Sequence, residues 1–332
     1  PMQHVVGYYD FFSRESVNNF TRMQQLAKDE PTRKQQRLIL GPWDHGSIGK
    51  SQVGDLDFGP AAQWDATVAM LEWFERTLKE KPTAAAPLVP VRYFMMGENH
   101  WHESETWPPT GFETTSFYVH SNGKANTRKG NGRLDRRAPV GDEPVDRFRA
   151  NPADPVPACP VTDQQPLHAA RWSPVDQREI EDRPDVLCYT TAPLTEPLTF
   201  AGNASAELFV SADTLDADWV VKLIDVYPDG TAYNLAVGIL RGQFRDSELK
   251  PQPLEPNKTY KITVDLGPVA AQIAPGHRLR VDICGAYFPL FDRNPNTAKG
   301  PFSAATAIAT ESVYHTSDKP SRILLSVPRS EK

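Results

Sequence analysis

Two rhythms of apolar and polar residues divide the chain. In the first quarter, short apolar runs are separated by stretches whose apolar residues recur every three or four positions. Val5-Val6-Gly7-Tyr8-Tyr9-Asp10 and Leu38-Ile39-Leu40 read as short buried strands, the second broken at once by Gly41-Pro42. Between them, Ser13 to about Ala27 reads as a helix with Val17, Phe20 and Met23 on one face. Ser13 is its expected N-cap, and Glu15 stands in the first turn, where the helix dipole favours an acid. The polar run Lys28 to Gln36 is expected as a surface loop. From His45 to Gly59 the chain holds too much Gly and Asp for regular structure. Pro60 then opens a second helix, whose stripe of Trp64, Val68, Leu71, Phe74 and Leu78 is expected to pack on the sheet.

After Lys81-Pro82-Thr83-Ala84-Ala85-Ala86-Pro87 the period changes to two. Leu279, Val281 and Ile283 alternate with Arg278, Arg280 and Asp282, and Tyr260, Ile262, Val264 and Leu266 with Lys261, Thr263 and Asp265. Trp219, Val221 and Leu223 stand opposite Val220, Lys222 and Ile224, and Ala206 to Val210 and Arg322 to Val327 add further strands. Pro228-Asp229-Gly230-Thr231 is a turn in which Pro presets φ and Gly accepts φ > 0. Many short strands with turn clusters and no helical period predict an all-β jelly-roll sandwich. Long excursions are expected between Asn122 and Arg178, where Pro, Gly and charge accumulate. The domains expected are 1–81, a linker over 82–90, and 91–332.

Composition narrows the function classes. The 332 residues exceed one typical domain, and 39% hydrophobic with 23% charged residues suits packed cores. A net charge of −6 offers no basic face for nucleic acid. No apolar run approaches the roughly 20 residues that span a bilayer as a helix, so no membrane partner is expected. Cys159, Cys188 and Cys284 are scattered without metal-type spacing and are expected as free buried thiols. His100 and His102 flank Trp101 without a third ligand, and Asp213, Asp216 and Asp218 lack the spacing and Gly of a calcium loop, so no metal site is expected.

The chemistry lies at the two strand ends. Open α/β sheets build their sites beyond the carboxyl ends of strands, where Asp10 and His45 are expected. An acid followed by a His fits the last two members of a Ser…Asp…His triad. No Gly-x-Ser-x-Gly elbow occurs: Gly46-Ser47-Ile48-Gly49 comes nearest, after the His and with the wrong spacing. The first part is therefore expected to be the end of an α/β-hydrolase domain, a parallel sheet with helices, whose nucleophile lies upstream in a longer protein. Asp44, beside His45, is expected to be a loop carboxylate.

Gly7-Tyr8-Tyr9-Asp10 and Gly41-Pro42-Trp43-Asp44-His45 resemble the acid and base motifs of the cocaine esterase, α-amino acid ester hydrolase and X-Pro dipeptidyl peptidase family. The similarity continues through Phe94-Met95-Met96-Gly97-Glu98-Asn99-His100-Trp101, Leu223-Ile224-Asp225-Val226-Tyr227-Pro228-Asp229-Gly230 and Phe288-Pro289-Leu290-Phe291-Asp292-Arg293-Asn294. The resemblance implies a serine hydrolase of esters or amides that needs no cofactor. Its Ser, its oxyanion donors and a helical cap would lie in an amino-terminal part of the same enzyme. Asp10 and His45 would be catalytic, and this chain alone inactive. Phe12 matches an aromatic that lines the acyl pocket of similar enzymes, and Leu167 and Trp172 resemble by position a jelly-roll segment that approaches it. Where α-amino acid ester hydrolases carry carboxylates for the substrate's ammonium, this chain has Phe11-Phe12-Ser13, which favours an uncharged acyl group. Two alternatives stay open: an X-Pro dipeptidyl peptidase, and a non-catalytic carbohydrate-binding jelly roll with a structural hydrolase remnant. The sequence leaves oligomeric state and compartment open.

Overall fold

The computed structural model describes residues 1–79, 89–161, 172–300 and 302–329. Most of the expected linker and Leu167 lie outside the described residues. Strands β1 (Met2–Gly7) and β2 (Gln36–Gly41) pair in parallel, Met2 opposite Gln36 and Gly7 opposite Gly41. Both chains therefore leave the sheet at the same end. Between them runs α1 (Ser13–Leu26), with Val17 and Phe20 buried against the sheet and the Phe20 ring 5.8 Å from that of His4. Ser13 is not its N-cap. Phe12 holds that position, because the Asp10 carboxylate takes the Phe12 amide at 2.9 Å and the Asp10 carbonyl takes Ser13 N at 2.9 Å.

The run expected as a loop contains α2 (Glu30–Lys34). Its N-cap Asp29 accepts from Thr32 N at 2.8 Å, and Pro31 stands in its first turn, where no amide is missed. Beyond His45 the chain is mostly irregular apart from the hairpin of β3 (Gln52–Val53) and β4 (Leu56–Asp57). The second helix, α3 (Ala66–Leu78), starts after Trp64, with Asp65 capping the amides of Thr67 and Val68. Its expected inward stripe faces out: Val68, Leu71, Phe74 and Leu78 are exposed, and Ala69 is the buried residue. Trp64, ahead of the helix, packs inward on Trp43, whereas along α3 the period holds but its apolar side faces away from the sheet, since a period does not say which side the sheet covers.

Strands β5 (Val91–Met95) and β6 (His100–Ser104) join the first sheet rather than the second. Its order is β1-β2-β5-β6, parallel up to β5 and antiparallel at the last pair. The expected boundary near residue 90 therefore does not separate the sheets.

The remaining strands form a mostly antiparallel set. They are β7 (Phe112–His120), β8 (Arg133–Asp135), β9 (Asp146–Ala150), β10 (Val186–Thr190) after the short α4 (Arg178–Glu181), and β11 (Leu198–Ala212). Then come β12 (Asp218–Val226), β13 (Ala232–Arg241), β14 (Tyr260–Ile273), β15 (Arg278–Cys284), β16 (Ala309–Thr316), β17 (Lys319–Pro320) and β18 (Arg322–Pro328). The β12–β13 hairpin closes on the expected turn, with Gly230 at φ 88°. Among the described residues the order is β13-β12-β15-β10-β8-β7-β18-β11-β16-β17, with β14 on β11 and β9 on β16.

In β15 the alternating charges do not face water. The strand lies between β10 and β12, and Arg280 and Asp282 are buried. Arg280 pairs with Glu181, and Asp282 lies 3.1 Å from Lys222. Burial alone would lower the Lys222 ammonium, yet Asp282, with Cys284 and Glu181 behind it, holds it above the ordinary lysine value. Burial, then Asp282, pushes the Glu181 carboxyl up to about 7 against the pull of Arg280.

One apolar core runs through both sheets. It joins Val6, Leu40, Phe58 and Phe94 to Leu208, Val264 and Ala270. The backbone crosses at the same place, with Met96 N donating to Ala270 O at 3.1 Å and Gln272 N to Met96 O at 2.8 Å. Gly97 makes this approach possible. It sits at φ 84°, and a Cβ there would fall 2.1 Å from Gln272 O.

Candidate active site

The parallel ends of β1 and β2 bring Asp10 and His45 together. His45 Nδ1 lies 3.0 Å from Asp10 Oδ2. The two loops are fastened by backbone bonds from Tyr8 N to Gly41 O at 2.9 Å and from Tyr9 N to Trp43 O at 3.0 Å. Gly7 allows this closeness, because a Cβ there would fall 1.9 Å from Trp43 O. Trp43, fully buried, anchors the His loop. Its Nε1 donates to Lys50 O and Ala62 O, both at 3.1 Å, and its ring stacks on Trp64 at 5.6 Å.

Burial is divided unequally across the pair. The Asp10 side chain is 4% exposed and the His45 side chain 57%. The Phe12 amide occupies Asp10 Oδ1, so Oδ2 is the oxygen left for the imidazole. With Nδ1 committed to Asp10, Nε2 is the nitrogen free to exchange a proton with a substrate or nucleophile. Asp44 takes the expected loop role, its Oδ1 accepting from Gly46 N at 3.0 Å. Ser47, the hydroxyl in the nearest approach to an elbow, is buried and hydrogen-bonds Asp44 N at 2.9 Å.

Aromatic rings surround the imidazole. Phe12 lies 5.5 Å from the His45 ring, but Phe11, missing from the sequence candidates, lies nearer at 4.9 Å. Both are exposed. Phe11 also lies 6.3 Å from Trp172, which packs 5.3 Å from Phe291 and 6.2 Å from the buried Tyr287. Trp172 is brought to the site by the bond from Asp55 N to Pro174 O at 2.9 Å and that from Asp176 N to Asp55 Oδ2 at 3.2 Å. The structure thus places Phe12 directly beside His45 and brings Trp172 to the Asp10–His45 pair through Phe11.

A second Ser, His and acid group is buried in the larger sheet, with Asp146 at the start of β9, His315 in β16 and Ser121 just after β7. His315 Nε2 is 2.9 Å from Asp146 Oδ2 and 3.3 Å from Ser121 Oγ, and its Nδ1 is 3.0 Å from Glu143 Oε2. Tyr189 and Ser121 both donate to Asp146. Burial pushes the Asp146 and Glu143 carboxyls up, but bonds from His315 and Ser121 to Asp146, and from His120 to Glu143, outweigh it and hold both below their ordinary values. Ser121 and His315 are buried, so no substrate reaches them. No local pattern marks this group, whose members lie far apart along the chain.

The other candidates have local partners. His102 pairs with Glu98 at 3.0 Å and stacks on Tyr93. Asp216 and Asp218 both accept from Asn294, and Cys159, Cys188 and Cys284 are buried and free. Among the described residues no group of His, Cys, Asp and Glu could hold a metal ion.

A family model described as the X-Pro dipeptidyl-peptidase C-terminal non-catalytic domain matches residues 84–324. The Asp10–His45 pair lies before that match. Cocaine esterase of Rhodococcus sp. (strain MB1 Bresler) is 37% identical over 300 residues, covering 90% of this chain and 50% of that protein. Among solved structures, an aminopeptidase from the marine sediment archaeon Thaumarchaeota archaeon superposes with a TM-score of 0.84 at 31% identity, over 99% of this chain and 55% of that one. An α-amino acid ester hydrolase gives 0.82 at 29% identity, over 98% and 55%. The chain thus spans about half the length of these relatives.

Proposed function

Because this chain belongs to the X-Pro dipeptidyl-peptidase C-terminal domain family, as the carboxyl-terminal part of the cocaine esterase and α-amino acid ester hydrolase type, we propose that it supplies the acid and the base of a serine hydrolase. In this reading the first sheet is the end of an α/β-hydrolase domain and the strands after it are a jelly roll. The nucleophilic Ser comes from an amino-terminal part of the same enzyme. His45 takes the Ser proton at Nε2 and returns it to the leaving group, and Asp10 fixes the tautomer and stabilises the imidazolium. The observation that carries this reading is the 3.0 Å contact between a buried Asp10 and an exposed His45.

The substrate is an ester or amide with an uncharged acyl group. Phe11, Phe12 and Trp172 supply apolar surface beside His45. An ammonium placed there would lose its hydration without a carboxylate in return. The aminopeptidase among the similar structures keeps amides beside esters as the second substrate class.

Activity-based labelling tests the reading. A fluorophosphonate should label one Ser in the product of the complete reading frame, and His45→Ala should abolish the labelling. An unlabelled product, or labelling indifferent to His45→Ala, would remove the proposed role.

A further inference from the structure

A cavity of about 130 Å³ lies at the junction where Met96 meets β14. Four segments enclose it: the β3–β4 hairpin, the turn after β5, the β12–β13 hairpin and the end of β14. None of Asp10, His45, Phe11, Phe12 and Trp172 lines it, so the reaction proposed above leaves it unused. Its size approaches that of the ~150 Å³ cavities that accept a benzene-sized guest.

The walls are mostly apolar and aromatic, supplied by Leu56, Phe58, Tyr227, Tyr233, Leu235 and Ile273. Asp225 stands among them, its side chain 14% exposed. His277 Nδ1 occupies Asp225 Oδ1 at 2.9 Å, and Oδ2 has no hydrogen-bond donor among the described residues. The Tyr227 ring lies 4.3 Å from that of His277 and meets Tyr233 edge-on at 5.4 Å, so aromatic surface flanks the carboxylate. Burial raises the Asp225 carboxyl, and the bond from His277 does not offset it. A half-satisfied acid in an aromatic hollow is chemistry for a cation, since ring faces attract positive charge as the carboxylate does. A metal ion is the poorer guest. Hard divalent ions take six or more oxygens, and among the described residues no group of His, Cys, Asp and Glu could hold one.

We propose that this cavity binds a small primary ammonium compound, its charged head on Asp225 Oδ2 and its short apolar body against Leu56, Phe58 and Leu235. The ammonium brings both the donor that Oδ2 lacks and the charge that a buried carboxylate needs. An alcohol of the same length brings the donor alone, and a carboxylate brings neither. The cavity thus takes the chemistry that the aromatic surface beside His45 disfavours, and it does so wherever the nucleophile lies.

Calorimetric titration tests the site with three probes of one length: n-butylammonium chloride, n-butanol and sodium butyrate. They are added to the product of the complete reading frame at about 0.15 M salt, which screens loose attraction to the net negative charge. Butylammonium should bind at least tenfold more tightly than butanol, and butyrate should not bind. Hydrogen exchange should show butylammonium protecting the peptides that carry Leu56–Phe58 and Asp225–Leu235. Asp225→Asn should reduce the affinity for butylammonium to that for butanol. Where Asp225→Asn gives no folded product, Leu56→Trp replaces it: the larger ring fills the cavity from the half-buried hairpin and should abolish the binding. Equal affinities for butylammonium and butanol would overturn the proposal, as would no binding of butylammonium at all. So would binding that survives either substitution, or protection confined to the His45 loop.

Discussion

Asp10 has three jobs that a shape-preserving substitution can separate. Its Oδ1 closes the turn into α1 through the Phe12 amide, its Oδ2 meets His45, and in the proposed reaction its charge would support an imidazolium. Asn with its oxygen kept on the Phe12 amide presents an NH₂ donor to Nδ1. In the complete enzyme, Asp10→Asn should therefore leave the melting temperature nearly unchanged and lower kcat by about 10⁴-fold, through the wrong imidazole tautomer. Steady-state kinetics with one ester decides this, and a loss of only a few-fold would assign the role to another acid. The pair was legible in the sequence because strand ends are marked by an apolar run and a breaker, and both residues follow one. Phe11 was not singled out, since adjacent aromatics in a sequence do not say which ring turns toward the imidazole. The buried Ser121–His315–Asp146 group was illegible for a different reason: its members come from two paired strands and from the residue after a third, an arrangement no local pattern encodes.

At the scale of elements, period was readable and facing was not. The helix over 13–27, the strands and the turn at Pro228 follow from spacing and turn chemistry. The direction of α3 and the buried charges of β15 depend on neighbours that lie far away in sequence. The junction between the sheets is of this second kind. Met96 bridges to Ala270 and Gln272 only because Gly97 adopts φ 84° with its Cα close to a carbonyl. Gly97→Ala must either take up a left-handed conformation with a Cβ 2.1 Å from Gln272 O or give up the bridge. Ala at such a position costs about 1 kcal/mol for the conformation alone, and the clash with backbone adds to it. Chemical denaturation of the 332-residue chain should show a loss of at least ~2 kcal/mol, at the upper end for single substitutions. A change below ~0.5 kcal/mol would mean the bridge contributes little to joining the sheets.

For the whole molecule, the linker and the break in period after Lys81–Pro87 suggest two units, and the packing couples the strands on either side. Strands on both sides of the break share the first sheet, and one apolar core passes from Val6 and Leu40 to Leu208 and Val264. Chains of this size often unfold in steps, domain by domain, when few contacts cross the boundary. Here the crossing contacts include buried side chains and ladder-like backbone bonds, so the first sheet loses its floor when the second opens. Native-state hydrogen exchange can measure this coupling directly. Peptides covering Gln36–Gly41 in β2 and Asp218–Val226 in β12 should exchange through openings of equal free energy and equal denaturant dependence. A β2 that opens at much lower free energy while β12 stays protected would show that the shared core is only a contact surface. The Asp10–His45 pair would then stand on a unit that opens independently of the larger sheet. Equal values would mean instead that the larger sheet itself holds the acid and the base in register.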